Sequence, residues 1–108
     1  MRYMLLICHD PSFTARTVEG DSAAWLKEME RRGVRKQGDR LRPAAEAKTV
    51  RMRDGELLVH DGPFAETKEE ISGYDIIDCA DFDEAIEIAS SHAAAKFGTI
   101  EIRPVWQS

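Results

Sequence analysis

The feature that most restricts the fold is an uninterrupted apolar run near the start of the chain, residues 3–7. In a β-strand successive side chains point to opposite faces of the sheet, so a strand of this kind needs cover on both faces. We therefore predict a central strand. The run ends at Cys8, His9 and Asp10 without the small-residue cleavage site of a signal peptide, so we interpret it as a strand and not as a signal peptide.

Two helices are predicted. The first begins near Asp21 or Ser22, whose short polar side chains can cap free amides, and Gly33 ends it. The second begins after Asp81, with Glu84 three residues later as its capping-box partner. Apolar positions repeat at helical spacing and form the predicted buried faces: Trp25, Leu26, Met29 and the stem of Arg32 in the first helix, and Ala85, Ile86, Ala89 and Ala93 in the second.

Five further strands are predicted around these helices. They span residues 34–41, 48–53, 56–60, 72–79 and 99–105. Asp54-Gly55, between the second and third of them, is the preferred two-residue hairpin turn. The order strand, helix, strand, hairpin, strand, helix, strand is the ferredoxin-like split βαβ arrangement with an inserted hairpin. We therefore predict an α+β fold with two helices on one face of an antiparallel sheet.

The other face of that sheet would have no helix to cover it. Its apolar residues, supplied by residues 3–8 and by Tyr74, Ile76 and Ile77, would form a hydrophobic patch larger than a monomer normally tolerates. A second copy of the sheet is the simplest cover. We therefore predict a two-fold homodimer whose sheets pack face to face.

Length and charge exclude several classes of protein. The chain of 108 residues fits one domain, residues 1–108. Fifteen basic against twenty acidic residues give a net charge of −5, which repels a phosphate backbone, so we predict no nucleic-acid partner. The densest basic run, residues 31–42, has no interleaved aromatics. No apolar run approaches the roughly 20 residues of a membrane span, so we predict no membrane partner.

Redox, metal and cofactor signals are also missing from the sequence. Cys8 and Cys79 lie in apolar, strand-like segments without CxxC spacing, so we expect reduced thiols and a cytoplasmic location. No HxxxH, HxH or Cys/His cluster indicates a metal site. No GxGxxG, GxxxxGKS/T or GxSxG motif indicates a nucleotide site or a serine hydrolase. We therefore predict neither a metal nor a cofactor.

Residues 61–69 read Asp-Gly-Pro-Phe-Ala-Glu-Thr-Lys-Glu and combine a turn, an aromatic residue and four ionisable side chains. Asp61 can accept hydrogen bonds from the amides that follow it, Gly62 permits unusual backbone angles and Pro63 fixes its own φ. We predict a stiff turn that Phe64 anchors in the core or at a subunit boundary. Two interpretations stay open, a dimer-forming loop with internal salt bridges and a ligand-binding or catalytic loop.

This nine-residue motif resembles the signature of the DGPF group of the YCII-related proteins. The opening Met-Arg-Tyr-Met-Leu-Leu-Ile and the closing Ile-Glu-Ile-Arg-Pro-Val extend the resemblance over nearly the whole chain. It implies a dimeric α+β barrel with a cleft between sheets and subunits, and an association with nearby-encoded sigma factors of the extracytoplasmic-function type. Some relatives use a His-Asp acid/base pair on the first helix, and one branch includes a lyase that eliminates chloride. The first helix here has no histidine, so that pair is not carried over.

His9 is the best replacement for the missing pair, because it ends the central strand and can reach the mouth of a cleft. An imidazole opposite a carboxylate can shuttle a proton near neutral pH. The candidate carboxylates are Asp61, Glu69 and Asp75. The alternative interpretation is a strand-end histidine with no chemical role. Of the other two histidines, His60 is a second candidate and His92 is predicted to be a surface residue that complements the helix dipole.

Asp75 stands in an otherwise apolar strand segment. Burial of an unpaired carboxylate costs several kcal/mol or forces protonation. Two environments would satisfy it. Asp75 either faces the cleft and meets a ligand, or forms an ion pair with Arg51 or Arg103 in the sheet.

These patterns together predict a protein that binds a small polar or aromatic molecule in the cleft, and they leave open an acid/base, lyase-like activity. The catalytic candidates are His9, Asp61 and Asp75, and the ligand-binding candidates are Phe64, Glu66, Lys68 and Glu69. The alternative is a non-enzymatic regulator that interacts with a sigma factor. An open cleft lined by convergent polar groups favours the first function, and a cleft filled by Phe64, Tyr3 and Tyr74 favours the second.

Overall fold

The computed structural model describes residues 1–12 and 16–107, and the side chains within residues 1–12 and 22–107. The strands of this part of the chain are Arg2–His9 (β1), Arg35–Arg40 (β2), Lys48–Arg53 (β3), Glu56–Asp61 (β4), Glu70–Asp78 (β5) and Thr99–Pro104 (β6). The helices are Arg16–Arg31 (α1), Phe82–Ser90 (α2) and Ala94–Phe97 (α3), with a short 3₁₀ helix at Ala44–Glu46. None of these helices is long and apolar enough to cross a membrane.

Four strands form an antiparallel sheet in the order β2-β5-β1-β6, with β5 and β1 in the middle. β1 pairs with β5 along its length, so that Leu5 lies opposite Asp75, and its other edge pairs with β6. The central strand expected from the apolar run is therefore confirmed. This strand order, with a helix after β1 and another after β5, is the ferredoxin-like arrangement, so the predicted α+β fold is also confirmed.

Helices α1 and α2 cover the same face of this sheet. Tyr3, Leu5 and Ile77 point to that face, and each has at most 1% of its surface exposed. The indole Nε1 of Trp25 on α1 donates to the carbonyl oxygen of Ile88 on α2 at 2.9 Å, which holds the two helices together. The buried core consists of Tyr3, Leu5, Trp25, Met29, Val34, Ile77, Cys79, Ala85, Ile88 and Ala89.

The opposite, open face of the sheet has no helix over it in the described residues. Met4, Leu6, Tyr74 and Ile76 lie on this open face and are only half-buried. Because side chains alternate along a strand, the apolar residues of β1 and β5 are divided between the two faces. Ile77, which was expected on the open face, lies in the core instead. The homodimer that would cover the open face stays a prediction.

Helix α1 is longer than the sequence predicted. It begins at Arg16, so Asp21 and Ser22 lie inside the helix rather than at its N-cap. A short polar side chain reduces helix stability only slightly at an interior position, so it does not by itself fix a helix start. Arg32, whose stem was expected to be buried, is exposed. The stop at Gly33 is confirmed, since it has a φ of 69° and its amide and the next one donate back into the last turn.

The start of α2 follows the predicted capping box. Oδ1 of Asp81 accepts the amide of Glu84 at 2.9 Å, and Oε1 of Glu84 accepts the amide of Ala80 at 3.2 Å. The buried residues of this helix are Ala85, Ile88 and Ala89. Ile86 was expected among them but is 52% exposed. At about 100° per residue it lies about 100° around the helix from Ala85 and about 160° from Ile88, and so away from the buried face.

Strands β3 and β4 form a separate hairpin. Asp54 and Gly55 at its tip have φ angles of 51° and 78°, which confirms the predicted two-residue turn. The larger apolar side chains of the hairpin are 44–62% exposed: Val50, Met52, Leu57, Leu58 and Val59. The radius of gyration is 15.7 Å against about 13 Å for a compact chain of this length, in keeping with a hairpin that projects from the four-stranded sheet.

Candidate functional site

A cavity of about 820 Å³ opens between the four-stranded sheet and its helices. Residues of β1, β2 and β5 line it on one side, and residues of α1 and of the segment around α3 line it on the other. We call it the helix-side cavity. Volumes of roughly 300–1,000 Å³ are typical of small-molecule sites. It lies on the helix-covered face of the sheet, whereas the cleft expected from the sequence lies on the open face.

The walls of the helix-side cavity are largely apolar. The apolar contributors include Ile7, Leu26, Leu41, Ile71, Ala94 and Phe97. Polar residues line it from several elements, among them His9 of β1, Arg35 of β2, Glu70 and Asp75 of β5, and His92 of the turn between α2 and α3. The arrangement of an apolar body with a few polar groups is the usual composition of a ligand site.

Asp75 is only 4% exposed, and it forms an ion pair with Arg35 of the neighbouring strand. Nε of Arg35 donates to Oδ1 of Asp75 at 2.7 Å. Burial raises the pKa of the Asp75 carboxyl, and the hydrogen bond from Arg35 acts in the opposite direction. An ion pair was expected, but the expected partners were wrong. Arg51 belongs to the separate hairpin, and Arg103 lies opposite Met4 on the open face.

Gly38 makes room for this ion pair. It lies directly opposite Asp75 in the ladder between β2 and β5. A Cβ at this position would overlap Oδ1 of Asp75 and would lie 2.6 Å from the carbonyl oxygen of Tyr74 and 2.7 Å from Nη2 of Arg35. In the structure Gly38 lies directly against the ion pair between the Asp75 carboxylate and the Arg35 guanidinium.

His92 is buried, with 4% of its surface exposed, so the prediction of a surface residue is wrong. Nδ1 of its ring accepts the amide of Ala94 at 2.9 Å. The proton of the neutral ring therefore sits on Nε2. Every fully buried side-chain nitrogen or oxygen of the described residues has a hydrogen-bond partner. Among those residues the only hydrogen bond of the His92 ring is the one at Nδ1. Because His92 lines the helix-side cavity, Nε2 is the ring atom that can donate to a ligand there.

A ring contact helps to fix the position of His92. Its ring meets the Trp25 ring edge-on, with centroids 4.7 Å apart at 62°. The segment that follows His92 passes close to β1. A Cβ on Gly98 would overlap the carbonyl oxygen of Cys8, so only glycine fits there. Burial lowers the pKa of His92, so the ring is neutral at pH 7. The dipole interpretation failed because the helix ends at Ser90 and the next residues turn inward.

His9 and Asp75 line the same cavity but do not meet. Asp75 lies opposite Leu5 in the β1–β5 ladder, and His9 lies opposite Glu70. Four residue steps lead along the strand from Leu5 to His9, which is about 13 Å at 3.3 Å per residue. The two catalytic candidates thus contribute to different parts of the cavity, and a direct hydrogen bond between them is excluded within one chain.

Asp61 and Phe64 are placed away from the helix-side cavity. Asp61 forms an exposed ion pair with Lys48 across the base of the hairpin, instead of accepting the amides that follow it. Gly62 has the expected unusual backbone, with a φ of 96°. Phe64 is 78% exposed, so it does not anchor the loop in the core. Its position at a subunit boundary stays a prediction.

Three further candidates from residues 61–69 lie near the surface and do not line the cavity: Glu66, Lys68 and Glu69. Hydrogen bonds from Ser12 lower the pKa of Asp10, and the charge of Lys68 acts in the same direction. Lys68 is therefore near the segment after β1, in which His9 and Pro11 line the cavity. The motif approaches the rim of the cavity rather than its interior.

The strand order and the helix-side cavity define a class, an α+β protein of ferredoxin-like topology with a ligand-sized cavity under its helices. The profile of the YCII-related domain matches residues 1–108. The chain is also 38% identical, over an alignment 122 positions long, to the uncharacterised protein R00369 of Rhizobium meliloti (strain 1021); the alignment covers 97% of this chain and 92% of that relative. The chain therefore belongs to the YCII-related family, as the sequence resemblance indicated.

Proposed function

We propose that this protein binds a small molecule with an apolar body and polar substituents in the helix-side cavity. The observation that carries the proposal is the Arg35–Asp75 pair, which lines a largely apolar cavity. Well-packed apolar side chains in place of a buried ion pair are often equally stable or more stable. Stability alone therefore explains the pair poorly, and a ligand that uses its charges explains it better.

The guanidinium of Arg35 supports recognition of an oxygen atom. It has five N–H groups, of which Nε donates to Asp75. Nη1 lies 3.5 Å from a carboxylate oxygen of Glu30, a long contact. Among the described residues no hydrogen bond is formed by Nη2, so Arg35, which lines the cavity, can offer this group to a ligand. A rigid guanidinium held by a buried carboxylate is suited to binding planar oxygen-bearing groups.

Binding is favoured over acid/base catalysis. Nδ1 of His92 is occupied by the amide of Ala94, and His9 is about 13 Å along β1 from the position opposite Asp75. A lyase-like reaction would therefore depend on His9 together with a group of the substrate. The regulatory function with a sigma factor rests on the family resemblance and stays a prediction.

A homodimer is part of the proposal. Met4, Leu6, Tyr74 and Ile76 on the open face are half-buried, and a second sheet would remove them from water. A dimer formed in this way leaves each helix-side cavity on the outer side of its own sheet. We expect one independent ligand site per protomer, and a stable monomer at micromolar concentration in sedimentation velocity would contradict the dimer.

Two adjacent alanines of α1 allow a matched test of the ligand site. Ala23 lines the cavity and Ala24 does not, although both are exposed. We expect native mass spectrometry of the protein with a metabolite library to detect bound compounds in the wild type and in Ala24→Trp, and to lose them in Ala23→Trp. Unchanged binding in Ala23→Trp would exclude the cavity as the site.

A further inference from the structure

His92 presents the cavity with a hydrogen-bond donor of fixed direction. The partner of Nδ1 is a backbone amide, which can donate but cannot accept. The ring therefore cannot change to the tautomer with a proton on Nδ1 without losing this bond. A hydroxyl partner would have allowed both tautomers, because a hydroxyl can reverse its role. Over the pH range in which the ring is neutral, Nε2 is thus a donor toward the cavity and not an acceptor.

The surroundings of His92 make this donor specific. The neighbouring indole N–H of Trp25 is already bound to the carbonyl oxygen of Ile88 at 2.9 Å, so it cannot serve a ligand. Ala94 and Phe97 contribute apolar surface to the same wall. A ligand that packs against this wall removes water from Nε2 and must replace the lost hydrogen bond. A ligand without an acceptor leaves a buried donor unsatisfied.

We propose that the ligand of the helix-side cavity carries an acceptor oxygen, such as the carbonyl oxygen of a ketone or an amide, on an apolar body, and that this oxygen accepts the Nε2–H of His92. The inference rests on the proposed function, because it names the class of compound that the same cavity selects. Leaving a buried donor unpaired weakens binding by about tenfold to a hundredfold. His92 acts here as a specificity-determining residue.

A matched pair of probes tests the proposal. 2-Acetonaphthone has a ketone oxygen, and 2-isopropenylnaphthalene has a methylene group in the same place. The chain has two tryptophans, Trp25 and Trp106, so Trp106→Phe leaves the indole beside His92 as the sole reporter. Both probes should quench Trp25 fluorescence, and the dissociation constant of the ketone should be at least about tenfold lower.

Variants of His92 and Ala23 separate this proposal from the proposed function. In His92→Phe the preference for the ketone should disappear, and in His92→Gln, which keeps an N–H donor, part of it should return. If Ala23→Trp removes both probes but the wild type binds them equally well, the acceptor proposal is wrong and the cavity remains the ligand site. If neither probe binds the wild type, both proposals are contradicted for this ligand class.

A measurement on the unsubstituted ring covers the case in which His92→Phe does not fold. Long-range ¹⁵N–¹H spectra of the wild type should show His92 protonated at Nε2 and unprotonated at Nδ1. Addition of 2-acetonaphthone should shift the Nε2 resonance, and 2-isopropenylnaphthalene should shift it much less. Equal shifts with both probes, or a ring protonated at Nδ1, would overturn the proposal.

Discussion

The hairpin with residues 61–69 and the wall of the helix-side cavity differ in two respects: how noticeable each is in the sequence, and how deeply its side chains are buried in the structure. The hairpin region is conspicuous as a sequence, with a dense run of ionisable residues, and yet its apolar and charged side chains are exposed. The cavity wall is inconspicuous as a sequence and contains a buried ion pair and a buried histidine. The conspicuous sequence motif indicated the family, whereas burial in the structure indicated the candidate site.

The largest difference between the two regions is expected from their ion pairs. Arg35→Met leaves the carboxylate of Asp75 buried without a partner, which should lower the free energy of unfolding by about 3–5 kcal/mol. Lys48→Met removes the partner of the exposed Asp61 carboxylate and should change the free energy of unfolding by less than about 1 kcal/mol. Urea denaturation followed by circular dichroism measures both values. Similar losses in the two variants would contradict the contrast.

The glycines of the two regions should also differ. Gly38→Ala places a Cβ against the Asp75 carboxylate and the backbone of Tyr74, so we expect a loss of more than about 2 kcal/mol. Gly62→Ala meets no atom but must adopt a φ of 96°, which costs about 1–2 kcal/mol. Thermal unfolding by calorimetry ranks the two variants. A larger loss of stability in Gly62→Ala would mean that backbone strain at residue 62 costs more than the overlap of a Cβ with the ion pair at residue 38.

These two comparisons show which parts of the fold could be derived from the sequence. The hairpin turn at Asp54-Gly55 and the cap at Asp81 were predicted correctly, because each depends on residues within a few positions of one another. The central strand followed from its two apolar faces. The limits of α1 did not follow, because polar residues that can cap a helix can also lie inside one.

The ion pair of the site was only partly predictable. An aspartate in an apolar strand indicates that a partner exists, but the partner depends on which strand is adjacent. Arg35 and Asp75 are 40 residues apart and meet because β2 pairs with β5. Gly38 carried a signal that could have been used, since a glycine inside a strand can mark a close approach of another group. No local pattern indicated that His92 is buried.

The pH dependence of stability should report on the buried histidine. Burial lowers the pKa of His92 below its value of 6.5 in the unfolded chain, so the unfolded chain binds a proton first. The stability from this group is complete above pH 6.5 and falls as the pH decreases from there toward the folded-state pKa, by at most about 1.4 kcal/mol per pH unit. Between pH 7 and 5 the free energy of unfolding, measured with denaturant, should fall less steeply with decreasing pH in His92→Gln than in the wild type. An unchanged slope would contradict the assignment.

The smallest effect on the free energy of unfolding is expected at the most exposed aromatic of residues 61–69. Phe64 is 78% exposed, so Phe64→Ala should change the unfolding of a protomer by less than about 0.5 kcal/mol. The predicted position at a subunit boundary requires a different result for assembly. Sedimentation equilibrium of Phe64→Ala should show weaker self-association than the wild type. Equal association would place Phe64 outside the interface.

The alternation of β5 has a consequence for how such a chain can diverge. Asp75 and Ile77 belong to the helix-covered face, while Tyr74 and Ile76 belong to the open face. A substitution on one face leaves the other chemically untouched, although both are encoded in the same nine-residue strand. Under the proposed ligand site and dimer, substitutions in β5 could therefore change ligand selection while the assembly surface stays the same, or the reverse. Insertion or deletion of a single residue in this strand would exchange the two sets and remove both properties at once.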